Sequence, residues 1–106
     1  MDGVDVLASE QAEWIQGPSA RSRMKTFFSP SMPGAFALVI ELPPGETLER
    51  HEEPLFEIGY ILKGSCTCGE GAEFPEGTFL FTPKGSVHGP FRSEHGCLLL
   101  CVKFDR

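Results

Sequence analysis

The sequence predicts an all-β protein of one domain, built as a β-sandwich or a closed barrel. Three observations lead there. Glycine and proline punctuate the chain every few residues, at Pro43-Pro44-Gly45, Lys63-Gly64-Ser65, Gly69-Glu70-Gly71, Pro75-Glu76-Gly77 and Pro83-Lys84-Gly85. No apolar pattern of helical period survives between these turns for long enough to make a stable helix. The intervening segments are short and rich in β-branched and aromatic residues, as strands are. With 106 residues, 41% of them hydrophobic, the chain suffices for one ordinary core and leaves no room for a second domain of useful size.

Taken in order, residues 1–20 form a flanking segment and residues 21–106 the domain. Within the flank, residues 9–15 fit one short helical turn or a flanking strand, and Trp14 is expected to anchor the segment on the barrel. Strands are predicted over 24–28, 35–42, 47–51, 55–62, 65–68, 78–82, 87–92 and 96–104. Short strands at this spacing favour closure or a double sheet, because either arrangement hides the strand edges. Tyr60, Phe79, Phe81, Phe91 and Phe104 alternate along these strands and are expected in the core. The pairs Cys66/Cys68 and Cys97/Cys101 each keep both members on one strand face, since side chains alternate with period two. Their spacing does not match the usual zinc-binding pairs, so buried reduced thiols are the expectation.

Nine Lys and Arg stand against fifteen Asp and Glu, for a formal charge of −6. That balance argues against nucleic acid and anionic membrane as partners. The N-terminus lacks the basic region and long apolar stretch of a signal peptide, and a cytoplasmic location is expected.

Two of the three histidines sit in unusual contexts. His51 ends a predicted strand after the Pro-Pro-Gly turn, and Glu53, two residues on, shares its face if the extended conformation persists. Glu57 heads the apolar run 58–62. A carboxylate there either points to solvent or is buried with a partner, because an isolated ionised carboxylate in a core is too costly, and a metal ion is a suitable partner. His88 follows the turn Pro83-Lys84-Gly85 and precedes Gly89-Pro90, which fixes it between two strands. His95, in Ser-Glu-His-Gly, reads as an exposed hairpin tip rather than a ligand, and Arg92 as a solvated residue at a strand end.

These residues resemble the cupin superfamily, whose first motif is G-x5-H-x-H-x3,4-E-x6-G and whose second is G-x5-P-x-G-x2-H-x3-N. Gly45, His51, Glu53, Glu57 and Gly64 reproduce the first in full register, with Glu53 where the family usually has its second His. Gly77, Pro83, Gly85 and His88 reproduce the second, with Arg92 in place of the terminal Asn. The stretch from Pro83 to Pro90 and on through Cys97 is similar to the ChrR-type subgroup, which includes anti-sigma factor cupins and acetylacetone-cleaving dioxygenases. The resemblance implies a cupin double-stranded β-helix, a jelly-roll barrel, with His51, Glu53, Glu57 and His88 on metal-ligand positions. It implies one divalent transition metal, Fe(II), Mn(II), Ni(II) or Zn(II), a set that imidazole and carboxylate donors suit.

Two functions follow as expectations. One is a metal-dependent enzyme, an Fe(II)-type dioxygenase acting on a small β-dicarbonyl or aryl ketone held in the barrel. The other is a non-enzymatic metal or small-molecule binding module, a sensor working with a separate partner, and the fold alone does not separate the two. A short, apolar-rich chain also gains from burying a face in a homodimer.

Overall fold

Strand boundaries follow the glycine and proline turns in the computed structural model, which describes residues 2–105. Twelve strands occur among these residues: β1 (Ile15–Gln16), β2 (Arg23–Phe28), β3 (Ala35–Leu42), β4 (Glu46–Leu48), β5 (His51–Glu52), β6 (Phe56–Gly64), β7 (Cys66–Cys68), β8 (Ala72–Phe74), β9 (Phe79–Thr82), β10 (Val87–His88), β11 (Phe91–Ser93) and β12 (Cys97–Phe104). They form a six-stranded sheet ordered β1-β2-β3-β12-β6-β9, a four-stranded sheet ordered β4-β11-β7-β8, and the ribbon β10-β5. All recorded pairings are antiparallel.

The core lies between the two large sheets. Leu38, Ile40 and Leu42 of β3, Ile61 of β6 and Cys97 and Cys101 of β12 face Leu48 of β4, Cys66 of β7 and Phe91 of β11 across it. Alternation dictates this set, because every second residue of β3 turns inward. All four cysteines are free, and Cys66, Cys97 and Cys101 are buried, as small hydrophobes would be.

Two turn glycines show why the punctuation is fixed. A Cβ on Gly64, which has φ of +77°, would stand 2.2 Å from the Gly96 carbonyl oxygen, so only glycine lets β6 and β12 meet there. A Cβ on Gly89, at φ of +100°, would press on the Arg50 backbone beside the ribbon.

Several expectations need correcting. The predicted strands 47–51 and 87–92 are each divided, into β4 and β5 where the chain passes from the four-stranded sheet to the ribbon, and into β10 and β11 where it returns. Strand β8 was not expected, since its three residues are boxed between Gly71 and Pro75 and carry a charge. Phe79 and Phe81 are not core: they are 60% and 72% exposed. Strand β9 is the edge of the large sheet, so its odd residues point outward while Leu80 and Thr82 turn in. The flank makes a short 3-10 turn at Ser9–Gln11 and then β1, which pairs with β2. Trp14 packs beneath the Arg23 guanidinium, 4.2 Å from its ring centre, and near the Lys25 ammonium, so it clips the flank to the outer surface of β2.

Candidate metal centre

The ribbon β5–β10 sets the site. His51 and His88 are direct cross-strand partners, and such residues point to the same face. Two further backbone bonds extend the ribbon, from Glu53 N to Ser86 O at 2.9 Å and from Gly85 N to Glu53 O at 2.8 Å. These bonds hold Glu53 extended, so its side chain leaves the chain on the same face as His51; Glu53 is buried to 1% exposure while His51 stays 41% exposed at the mouth of the cluster. Glu57 arrives from β6 and Lys103 from β12, and these two are also cross-strand partners.

The result is a cluster of electron-rich atoms. His51 Nε2 lies 2.6 Å from Glu53 Oε1, and His88 Nε2 lies 3.1 Å from that same oxygen and 3.0 Å from His51 Nε2. One donor atom from each of His51, Glu53 and His88 falls within 4.8 Å of the others. His51 Nδ1 is 2.7 Å from the Glu49 carbonyl oxygen. A carbonyl only accepts, so Nδ1 carries the proton and neutral His51 turns the lone pair of Nε2 toward Glu53 and His88. Close approach of a lone pair, a carboxylate oxygen and a second imidazole nitrogen is unfavourable unless a proton or a cation stands among them. Two imidazoles and a carboxylate are the donors that a divalent transition metal takes, and the Glu49 carbonyl is the kind of outer partner that fixes a ligating histidine.

Glu57 stands at the margin of this cluster. Its Oε2 is 3.9 Å from His88 Nε2 and is buried without a hydrogen-bond partner among the described residues. Burial first, and the neighbouring Glu53 second, push the Glu57 carboxyl above the ordinary range. Burial works in the same direction on Glu53, but contacts with Glu57, Lys103 and His88 outweigh it and hold that carboxyl down, at about 2. Glu57 therefore keeps its proton more readily while Glu53 is the ionised member. Lys103 Nζ donates to Glu53 Oε2 at 3.1 Å, leaving Oε1 to the imidazoles. Thr82 Oγ1 sits 3.3 Å from His88 Nδ1.

The cluster forms part of the wall of a cavity of about 460 Å³. Met24, Leu38, Ile40, Leu48, Phe91 and Leu99 supply apolar lining. That volume and composition match small-molecule sites, where apolar walls surround a few polar groups. Thus His51, Glu53 and His88, all expected at the site, come together, with Glu57 beside them and Glu53 more central than its place in the motif suggested. His95 is exposed in a bend away from the cluster. Arg92 is also exposed, donating to the Gly45 carbonyl at 2.7 Å. Lys103 was missed. Its signal was present in strand parity: with Cys97 and Cys101 on the inner face of β12, residue 103 must share it.

Known proteins agree with this architecture. KdgF of a Halomonas species superposes with a TM-score of 0.81 at 18% identity, covering 97% of this chain and 94% of that one. A candidate acetylacetone dioxygenase of Methylibium petroleiphilum superposes with a TM-score of 0.80 at 12% identity, over 95% of this chain and 76% of that one. The Rhodobacter sphaeroides complex of SigE with the anti-sigma ChrR gives a TM-score of 0.74 at 18% identity, over 91% of this chain and 51% of that one. At these identities the likeness shows the fold. No curated protein matches. The family model described as the ChrR cupin-like domain matches residues 3–104, nearly the whole chain, and the protein accordingly belongs to the ChrR cupin-like family.

Proposed function

We propose that the protein is a metal-dependent enzyme that holds one divalent transition-metal ion through His51, Glu53 and His88, with Glu57 as fourth ligand, and oxygenates a small β-dicarbonyl or aryl ketone. The observation that carries this reading is the convergence of two imidazole Nε2 atoms and a buried carboxylate oxygen on the wall of an apolar cavity of about 460 Å³. An Fe(II) ion held there would supply the electrons that dioxygen activation requires. The chain's own contribution is positional. The Glu49 carbonyl sets the His51 tautomer, Lys103 holds Glu53 by its far oxygen, and the apolar walls exclude water from the substrate.

The test is oxygen uptake by Fe(II)-reconstituted protein given pentane-2,4-dione or an aryl ketone, with His88→Ala as the control. Substrate-dependent uptake that vanishes in the variant supports the enzyme. A protein that binds the metal fully and consumes no oxygen with either substrate fits a second reading, a metal-binding sensor module, which the match to the ChrR cupin-like family favours. We also place a homodimer contact on the outer face of the large sheet, where Phe79 and Phe81 stack side by side and are exposed.

A further inference from the structure

Lys103 is the one Lys or Arg among the described residues that line the cavity. Its side chain is 19% exposed, and Glu53 Oε2, at 3.1 Å, is its one hydrogen-bond acceptor among those residues. An ammonium has three N–H donors, so two remain for a molecule in the cavity. Because Glu53 offers Oε1 to the imidazoles and Oε2 to Lys103, an ion on Oε1 does not require the Lys103 contact to break. The charges of the assembled site then decide what fits beside it. A divalent cation and Lys103 bring three positive charges against the two of Glu53 and Glu57, a surplus of one at the inner wall, while the other two lining carboxylates, Glu49 and Glu52, are exposed and screened by water. Uncompensated charge facing apolar walls is costly, and a cationic or neutral ligand leaves it uncompensated.

We infer that the cavity takes a small, largely apolar molecule carrying one negative charge on oxygen, and that Lys103 is the specificity-determining residue that selects for that charge. The inference rests on the metal-centre reading above. Apolar walls from Met24, Leu38, Ile40 and Leu48 receive the body of the ligand, and its anionic oxygen lies between the ion's side of Glu53 and the Lys103 ammonium. Lys103 thus does for this cavity what a charge-assisted hydrogen bond does in general, adding affinity only for the ionised partner.

The experiment is titration calorimetry on the full chain loaded with redox-inert Zn(II), using benzoate, benzamide and benzylamine as probes of like shape and different charge. Zinc content is measured on every sample first. Wild type is expected to bind benzoate at least about tenfold more tightly than benzamide, and benzylamine not at all. Lys103→Met is expected to lose that preference, binding benzoate and benzamide alike when compared per equivalent of bound zinc, and Lys103→Arg to keep it. Equal binding of benzoate and benzamide by the wild type, or undiminished benzoate binding by Lys103→Met, overturns the inference. If Lys103→Met does not fold, the wild-type preference and its retention in Lys103→Arg decide. Absence of zinc in the wild type overturns the metal-centre reading and this inference together. Full zinc without an anion preference overturns this inference alone.

Discussion

Replacing Glu53 with alanine in the metal-free protein removes a carboxylate that is almost fully buried and touches His51, His88 and Lys103 at once. Two effects oppose each other. Hydrogen bonds to charged groups contribute about 1.5–3 kcal/mol each, and leaving one partner of a buried pair alone costs roughly 3–5 kcal/mol. Here His88 and Lys103 are each 19% exposed, so water reaches the abandoned partners and the lower end applies, about 3 kcal/mol. Against this, Glu57 is freed of a like charge, but because it favours its protonated form the relief is small, about 1 kcal/mol. The net loss is about 2 kcal/mol, or a melting temperature lower by roughly 10 °C for a domain of this size. Thermal unfolding in chelator at neutral pH is the assay. Glu53→Gln keeps the shape and one acceptor for Lys103, so it should lose about half as much. Both variants should fail to take up metal. A Glu53→Ala protein that melts with the wild type in chelator, and still binds metal with the same affinity, would refute the placement of this carboxylate at the centre.

Other outcomes follow from the same geometry. Lowering of the folded-state value of Glu53 from 4.5 to about 2 means that its stabilisation is fully present above 4.5 and is lost as pH falls through about 2. Glu57 has the opposite sign: its carboxyl is raised from 4.5, so its favourable contribution is present below 4.5 and is lost as pH rises through the folded-state value. Metal-free Glu57→Gln should therefore melt above wild type at neutral pH and with it below 4.5, whereas equal melting at neutral pH would show that Glu57 is not strained. His51→Ala and His88→Ala should each abolish metal binding and His95→Ala should change neither binding nor melting, as followed by metal content and calorimetry. Phe81→Glu should shift the protein toward monomer in sedimentation velocity, and a wild type that is already monomeric at high concentration would remove the dimer contact.

How much of this was legible in the sequence depends on the distance over which the information acts. Turn glycines and prolines and the period-two placing of Cys97 and Cys101 are local signals, so the strand segments and one shared face of β12 were readable, whereas the order of strands in the sheets was not. His51, Glu53 and His88 stand at motif positions because a two-residue ribbon and its backbone bonds through Ser86 and Gly85 place them face to face. The breaks at Glu49-Arg50 and Gly89-Pro90 were missed although a charged pair and a Gly-Pro dipeptide stand there, because what divides the strands is a change of hydrogen-bonded partner from one sheet to another, which no local pattern records. Phe79 and Phe81 misled for a related reason: alternation says that two faces exist, but only sheet order shows that β9 is an edge with an uncovered outer face. Lys103 lies fifty residues from Glu53 and meets it only through the register of β12 on β6, which sets Lys103 opposite Glu57. A charged residue at an inward parity position is the sort of local inconsistency that marks a site.

Metal analysis decides whether His51, Glu53 and His88 hold one divalent ion. The full chain is reconstituted anaerobically with Fe(II), Mn(II), Ni(II) or Zn(II) in turn, desalted and assayed for metal and protein, beside His88→Ala. The account predicts about one equivalent of at least one of these ions per chain in the wild type and near none in the variant. Less than about a tenth of an equivalent of every ion in the wild type, or equal retention in His88→Ala, would contradict it.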